Sequence, residues 1–151
     1  MTQLNQVSAA DGEIVTVVGT TTGVRGRYLI DADANHFVSD AKVSTGGPGE
    51  AVQAGQLLLS ALASCALAVI QRHADTLGVR LESGRVNVSF KRDPSDVTRY
   101  EYIRLRVRLN GVDSRTSAAL VKEFTDTCPI YNTLARGGNI GVELEDIAIA
   151  A

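Results

Sequence analysis

The sequence predicts an α+β protein, and two patterns carry that prediction. One is a period-two alternation in RLESGRVNVSFKR and RYEYIRLRVRL. Val86, Val88 and Phe90 alternate with Arg85, Asn87, Ser89 and Lys91, and Ile103, Leu105, Val107 and Leu109 alternate with Arg104, Arg106 and Arg108. Such alternation marks a half-buried antiparallel hairpin, turned here by DPSDVT. The other pattern is the stretch from about Ala54 to Leu77, which has no proline and only one glycine, Gly55. Within it the uncharged run QLLLSALASCALAVI, Gln56 to Ile70, is apolar on every side, which predicts a helix buried all round.

The other elements follow in chain order. EIVTVVGTTTG (13–23) is rich in β-branched residues and reads as a strand. GRYLIDAD and NHFVSDAK predict two more short strands, turning at Ala34-Asn35, and VSTGGPGE is a glycine–proline loop. Gly78 stands where a helix C-cap glycine belongs. Asp113 or Ser114 caps a helix running to about Thr127, Cys128-Pro129 opens a further short helix, and IGVELEDIAI reads as a closing strand. No repeat or low-complexity segment is visible, so a single domain over 1–151 is expected. The central helix, at ~1.5 Å per residue, would run roughly 36 Å. That is more than a core of this size can wrap, so a partner subunit is expected to cover part of it.

Bulk composition narrows the function. The 151 residues are 44% hydrophobic and 21% charged with a net charge of −2, which gives no basic surface for nucleic acid. The start, MTQLNQVSAADGE, lacks the basic and apolar regions of a signal peptide, and the apolar run ends in QRHAD, shorter than a membrane span. The expectation is a cytoplasmic protein with neither membrane nor nucleic acid as partner. Two cysteines in a reducing compartment are more readily free, or redox-active as a pair, than permanently bridged. No CxxC or HxxxH spacing occurs, and His36 and His73 are far apart, so neither metal nor cofactor is expected.

The two thiols differ in setting. Proline follows Cys128, which places that cysteine at a helix N-terminus where the dipole favours thiolate. Cys65 lies mid-helix among alanines and leucines, where burial without a cation raises a thiol's pKa. Taken on the residues alone, Cys128 is the reactive thiol and Cys65 a small core residue.

Three separated stretches change that assignment. TTTGVRG resembles the pattern T-x-T-G-G-R-D-G, GGPG followed by QLLLSALASC resembles a glycine-rich loop running into a cysteine-bearing helix, and CPIYNTLARGGNIGVEL resembles C-P-Y-S-x-A-x-R-G-N-I-x-V. Together, in this order, they resemble the Ohr/OsmC family of organic hydroperoxide resistance and osmotically inducible proteins, which are thiol peroxidases. The resemblance implies antiparallel sheets wrapped around long central helices in an intertwined homodimer, with active sites at the dimer interface. It implies that Cys65 attacks an organic hydroperoxide, that Cys128 resolves the sulfenic acid to a disulfide, and that a small dithiol or a thiol protein returns the electrons. Arg25 aligns with the arginine that lowers the attacking thiol's pKa, and Arg27 can take either role.

One departure stands out. The family pattern N-P-E-Q-L reads QAGQL here: Gln56 and Leu57 match, while Gly55 replaces the glutamate that clamps the arginine and Ala54 replaces the proline. Glu50 on the preceding loop is the candidate substitute, and Gln56 a supporting residue. His36 resembles a histidine in other branches of the superfamily, and His73 is too far around the helix from Cys65 to serve it as a base. The missing glutamate keeps an alternative in view, a module of the same fold that binds an apolar ligand or senses oxidants without turnover.

Overall fold

The computed structural model describes Gly12 and residues 14–142. The chain forms two compact units, residues 1–57 and 58–151.

The first unit is built on a three-stranded antiparallel meander, β1 (Val17–Thr21), β2 (Arg27–Ala32) and β3 (Asn35–Asp40), in the order β1-β2-β3. The turn between β2 and β3 sits at Asp33-Ala34, one residue before the expected Ala34-Asn35, and pairs Ala32 with Asn35. Asp33 takes the left-handed conformation at φ 56°, which the short polar side chain of Asp tolerates. This register sets Arg27 directly opposite Asp40. After β3 a single 3₁₀ turn, Val43–Thr45, leads into the glycine loop, and the chain returns to bond β3 at Val52, whose carbonyl accepts the Asp40 N–H at 3.1 Å.

Helix α1 (Ala54–Thr76) starts where expected and leaves the first unit for the second. Its length and composition would be enough to cross a membrane, and part of it packs into the core of the second unit. Leu62, Ala66, Val69, Ile70 and Ala74 are buried, a stripe repeating every three to four residues. The expected burial on every side does not hold within the single chain: Gln56, Ser60, Ser64 and Ala68, spaced four apart, are exposed along another face. The helix is small and polar along that line, and the core of the described chain covers the other side.

The second unit adds the hairpin β4 (Ser83–Arg92) and β5 (Tyr100–Asn110), then α2 (Ser114–Thr127) and α3 (Pro129–Arg136). The alternation of the two strands is realised as read, with Val86, Leu105, Val107 and Leu109 packed on the core and Arg104, Arg106 and Arg108 exposed. Asp93 shapes the connecting loop, accepting from Ser95, Asp96 and Arg99. Asp113, rather than Ser114, is the N-cap of α2, and α2 brings Leu120 and Phe124 against Ala66, Ile70 and Ala74 of α1. The expected closing strand IGVELEDIAI lies largely outside the described residues, and 140–142 have no regular structure.

Candidate functional site

In the second unit, Cys65 and Cys128 are joined by a disulfide with their Cα atoms 6.6 Å apart. Cys65 shares the core-facing side of α1 with Leu62 and Ala66, and it is half-buried. Cys128 stands at the junction of α2 and α3 and has no exposed surface. It is the N-cap of α3: its sulfur accepts the Tyr131 N–H at 3.4 Å, and Pro129 occupies the first turn, where the missing N–H costs nothing. Helix α2 ends at this point because Cys128 turns extended (ψ 117°), so the same residue closes one helix and opens the next. Of the two sulfurs, only that of Cys65 belongs to a residue with access to solvent.

The second unit also has a cavity of about 280 Å³, lined by Leu62, Ile103, Leu105, Tyr131, Leu134 and Ala135. Leu62 is one turn before Cys65 and Tyr131 one turn after Cys128, so the cavity is flanked by both cysteine helices. The Tyr131 ring rests against Phe124, with ring centroids 5.2 Å apart, which fixes that wall to the core.

The first unit holds a guanidinium clamp. Arg27 donates from Nε to Asp40 Oδ1 and from Nη2 to Asp40 Oδ2, both at 2.8 Å, and from Nη2 to Glu50 Oε2 at 2.7 Å. Asp40 Oδ2 also accepts the N–H groups of Glu50 (3.0 Å) and Ala51 (2.9 Å). The Arg27 bonds, followed by those from Ala51 and Glu50, outweigh burial and hold the Asp40 carboxyl well below its ordinary pKa. Asp40 in the first place, then Glu50, holds Arg27 protonated above the usual arginine value.

The expected site residues therefore fall as follows. Glu50 does reach an arginine, and that arginine is Arg27. Arg25 is exposed, lies over Gly46, and forms no ion pair among the described residues. Gln56 turns back along the helix start, its side-chain oxygen accepting the Gln53 N–H at 2.9 Å, half of a capping box. His36 bonds Asp31 at 2.6 Å in an exposed cross-strand pair. Among the described residues no group of three or more His, Cys, Asp or Glu side chains could hold a metal ion. Asp40 was missed by the sequence reading. Its signal was the hairpin register, which a turn centred one residue earlier would have disclosed.

Among the described residues, two antiparallel sheets and three α-helices, with a cysteine pair joining α1 to the α2–α3 junction, define an α+β thiol protein. The OsmC-like protein family model matches residues 47–143, which include both cysteines, and the chain belongs to that family. No curated protein matches it. Solved structures share its fold at low identity. An OsmC-like protein from Mycoplasma pneumoniae is 18% identical with a TM-score of 0.69, over 82% of this chain and 88% of that one. An organic hydroperoxide resistance protein OsmC from Legionella pneumophila is 22% identical with a TM-score of 0.63, over 84% and 93%. The organic hydroperoxide resistance protein OhrB of Bacillus subtilis is 21% identical with a TM-score of 0.59, over 83% and 92%. At these identities the likeness is one of fold. Family membership and the cysteine pair together point to thiol redox function.

Proposed function

We propose that the protein is a cysteine-based peroxidase for organic hydroperoxides, working as a homodimer in the cytoplasm. The observation that carries the reading is the Cys65–Cys128 pair, half-buried Cys65 bonded to fully buried Cys128, in a unit whose cavity is lined from both cysteine helices. The Cys65 thiolate attacks one peroxide oxygen. The O–O bond breaks, the organic half leaves as an alcohol after taking a proton, and Cys65 becomes a sulfenic acid. The Cys128 thiol then displaces water from that sulfur to give the disulfide. A dithiol or thiol protein reduces the bond, is itself oxidised to a disulfide, and returns two thiols. The cavity suits the apolar substituent of such a peroxide, and no cofactor is needed.

A thiol in this apolar setting needs a cation to titrate near neutral pH. The resemblance gives that role to Arg25 or Arg27; of the two, Arg27 is held between two carboxylates, while Arg25 forms no ion pair among the described residues. Support for the homodimer comes from the exposed line Gln56, Ser60, Ser64, Ala68 on α1 and from exposed valines 17 and 18 on β1.

The test is stoichiometric cumene hydroperoxide added to reduced protein. Wild type should consume both thiols and form one intramolecular disulfide. Cys128→Ser should stop at sulfenic acid, and Cys65→Ser should react slowly. Equal reactivity of the two single variants would remove the assigned roles, and no consumption by wild type would leave the ligand-binding alternative.

A further inference from the structure

The outer face of the β4–β5 hairpin carries a single sign of charge. The register sets Arg85 opposite Arg108, Asn87 opposite Arg106, Ser89 opposite Arg104 and Lys91 opposite Tyr102, all exposed except the half-buried tyrosine. No carboxylate stands among these positions. Lys91 meets Glu101 at 2.6 Å, while the four arginines form no ion pair among the described residues. Like charges directly opposite each other destabilise a sheet, and exposed faces ordinarily intersperse both signs. Neither folding nor solubility therefore accounts for this face. The net charge of −2 conceals it, because composition averages over every surface of the chain.

The chemistry of the face selects a partner. Arg104, Arg106 and Arg108 recur at every second residue of one extended strand, a step of about 6.8 Å. Such a row suits a chain charged at regular intervals, and a guanidinium binds phosphate oxygens bidentately. The face has no aliphatic side chain, so it lacks both the apolar anchors of a protein interface and the residues that insert into a bilayer. Its one ring, Tyr102, lies under the Arg104 guanidinium at 4.5 Å, and a planar pair of this kind offers a base a stacking surface. The inner face of the hairpin packs on the core through Val86, Leu105, Val107 and Leu109. The hairpin is thus a flat platform, with no free ribbon to enter the groove of a duplex.

We propose that the outer face of β4–β5 binds single-stranded nucleic acid, with its arginines on the phosphates and the Tyr102–Arg104 pair under a base. Binding is electrostatic and tolerant of sequence. It stands apart from the thiol chemistry, since both cysteines belong to the core on which the inner face packs.

The experiment is fluorescence anisotropy of a fluorescein-labelled oligothymidylate of about 20 nucleotides, titrated with the protein over a range of salt. Wild type should bind at low salt and weaken as salt rises, with a slope of log affinity on log salt of about −3 for four arginines on phosphate. Arg104→Gln combined with Arg106→Gln should weaken binding at least about tenfold at low salt and make the slope shallower by about 1.4. Tyr102→Leu should weaken binding severalfold and leave the slope unchanged. Arg72→Gln combined with Arg115→Gln, at exposed positions on α1 and α2, removes the same charge and should change affinity less than about twofold. Where the first pair does not fold, Arg106→Gln alone decides, through a slope shallower by about 0.7.

No binding by wild type would overturn the proposal. Equal losses from the two arginine pairs would do so as well, by showing a response to net charge alone. Duplex DNA bound as tightly as the single strand would remove the platform argument and the proposal with it. Displacement of the oligothymidylate at equal charge by polyglutamate, or by phosphatidylserine vesicles, would give the face to an acidic protein or to a membrane instead.

Discussion

Arg27 and Asp40 face each other across the β2–β3 ladder and are joined by two parallel bonds of 2.8 Å. Because the Asp40 carboxyl is held below its ordinary value, its contribution to stability depends on pH. A depressed folded-state pKa means the unfolded chain binds the proton more readily. The pair therefore contributes fully above the unfolded value of about 3.9, and the contribution fades as pH falls from there towards the folded value. Urea unfolding of wild type and Asp40→Asn at pH 7 and pH 3 checks this. The gap between the two should be wide at pH 7 and narrower at pH 3, and a gap independent of pH would show that Asp40 contributes by packing alone.

The clamp also depends on a close backbone contact. Gly26, immediately before Arg27, has φ 76°, and its carbonyl accepts the Ala41 N–H at 2.7 Å. A Cβ placed there would lie 2.6 Å from the Cα of Gly47, backbone against backbone. Gly26→Ala should therefore cost at least the ~1–2 kcal/mol of a left-handed L-residue. Gly23, three residues earlier, has nothing within 4 Å of such a Cβ, so Gly23→Ala should be near neutral or slightly stabilising. Equal midpoints for the two variants in chemical denaturation would contradict the close approach of the two loops.

Much of this arrangement was legible in the sequence. Local rules sufficed for the hairpin, whose side chains alternate without interruption, and for α1, which has no proline to stop it. The all-round burial of α1 is not met within one chain, because hydropathy alone does not say how much of that chain is available to cover a helix. Ser60, Ser64 and Ala68 passed as core residues until the number of packing elements was known. The arginine clamp was half legible. Glu50 could be named as a carboxylate in search of an arginine, but cross-strand partners depend on where a turn is centred. A turn at Ala34-Asn35 would set Arg27 opposite Lys42, a like charge, whereas the turn at Asp33-Ala34 sets it opposite Asp40. The roles of the two cysteines rested on resemblance, and the exposure difference between them became visible only with the fold.

The start of α2 separates two readings that the sequence left open. Asp113 accepts the Thr116 N–H at 2.7 Å, and this bond holds its carboxyl below the ordinary range. Ser114 is already inside the helix. Asp113→Ala should cost about 1 kcal/mol, the usual value of a lost N-cap, and Ser114→Ala should cost almost nothing. Thermal unfolding of the two variants at pH 7 measures the difference. A larger loss at Ser114 would move the cap by one residue.

The disulfide must satisfy two demands at once. It closes a loop with a sequence separation of 63, which on a chain-entropy estimate stabilises the folded state by about 4 kcal/mol. A redox pair that turns over must also open without the chain unfolding. The packing around it favours this, because the cluster that contains both cysteines also holds Ala66, Ile70 and Ala74 of α1 with Leu120 and Phe124 of α2. Dithiothreitol should therefore lower the urea midpoint markedly while leaving the far-ultraviolet circular dichroism in plain buffer unchanged. Cys65→Ser and Cys128→Ser should both lose the stabilisation seen in oxidised wild type, and dithiothreitol should have no further effect on either. Loss of the helical signal on reduction alone would make the bond a structural staple, and a catalytic cycle through Cys65 and Cys128 would then be untenable.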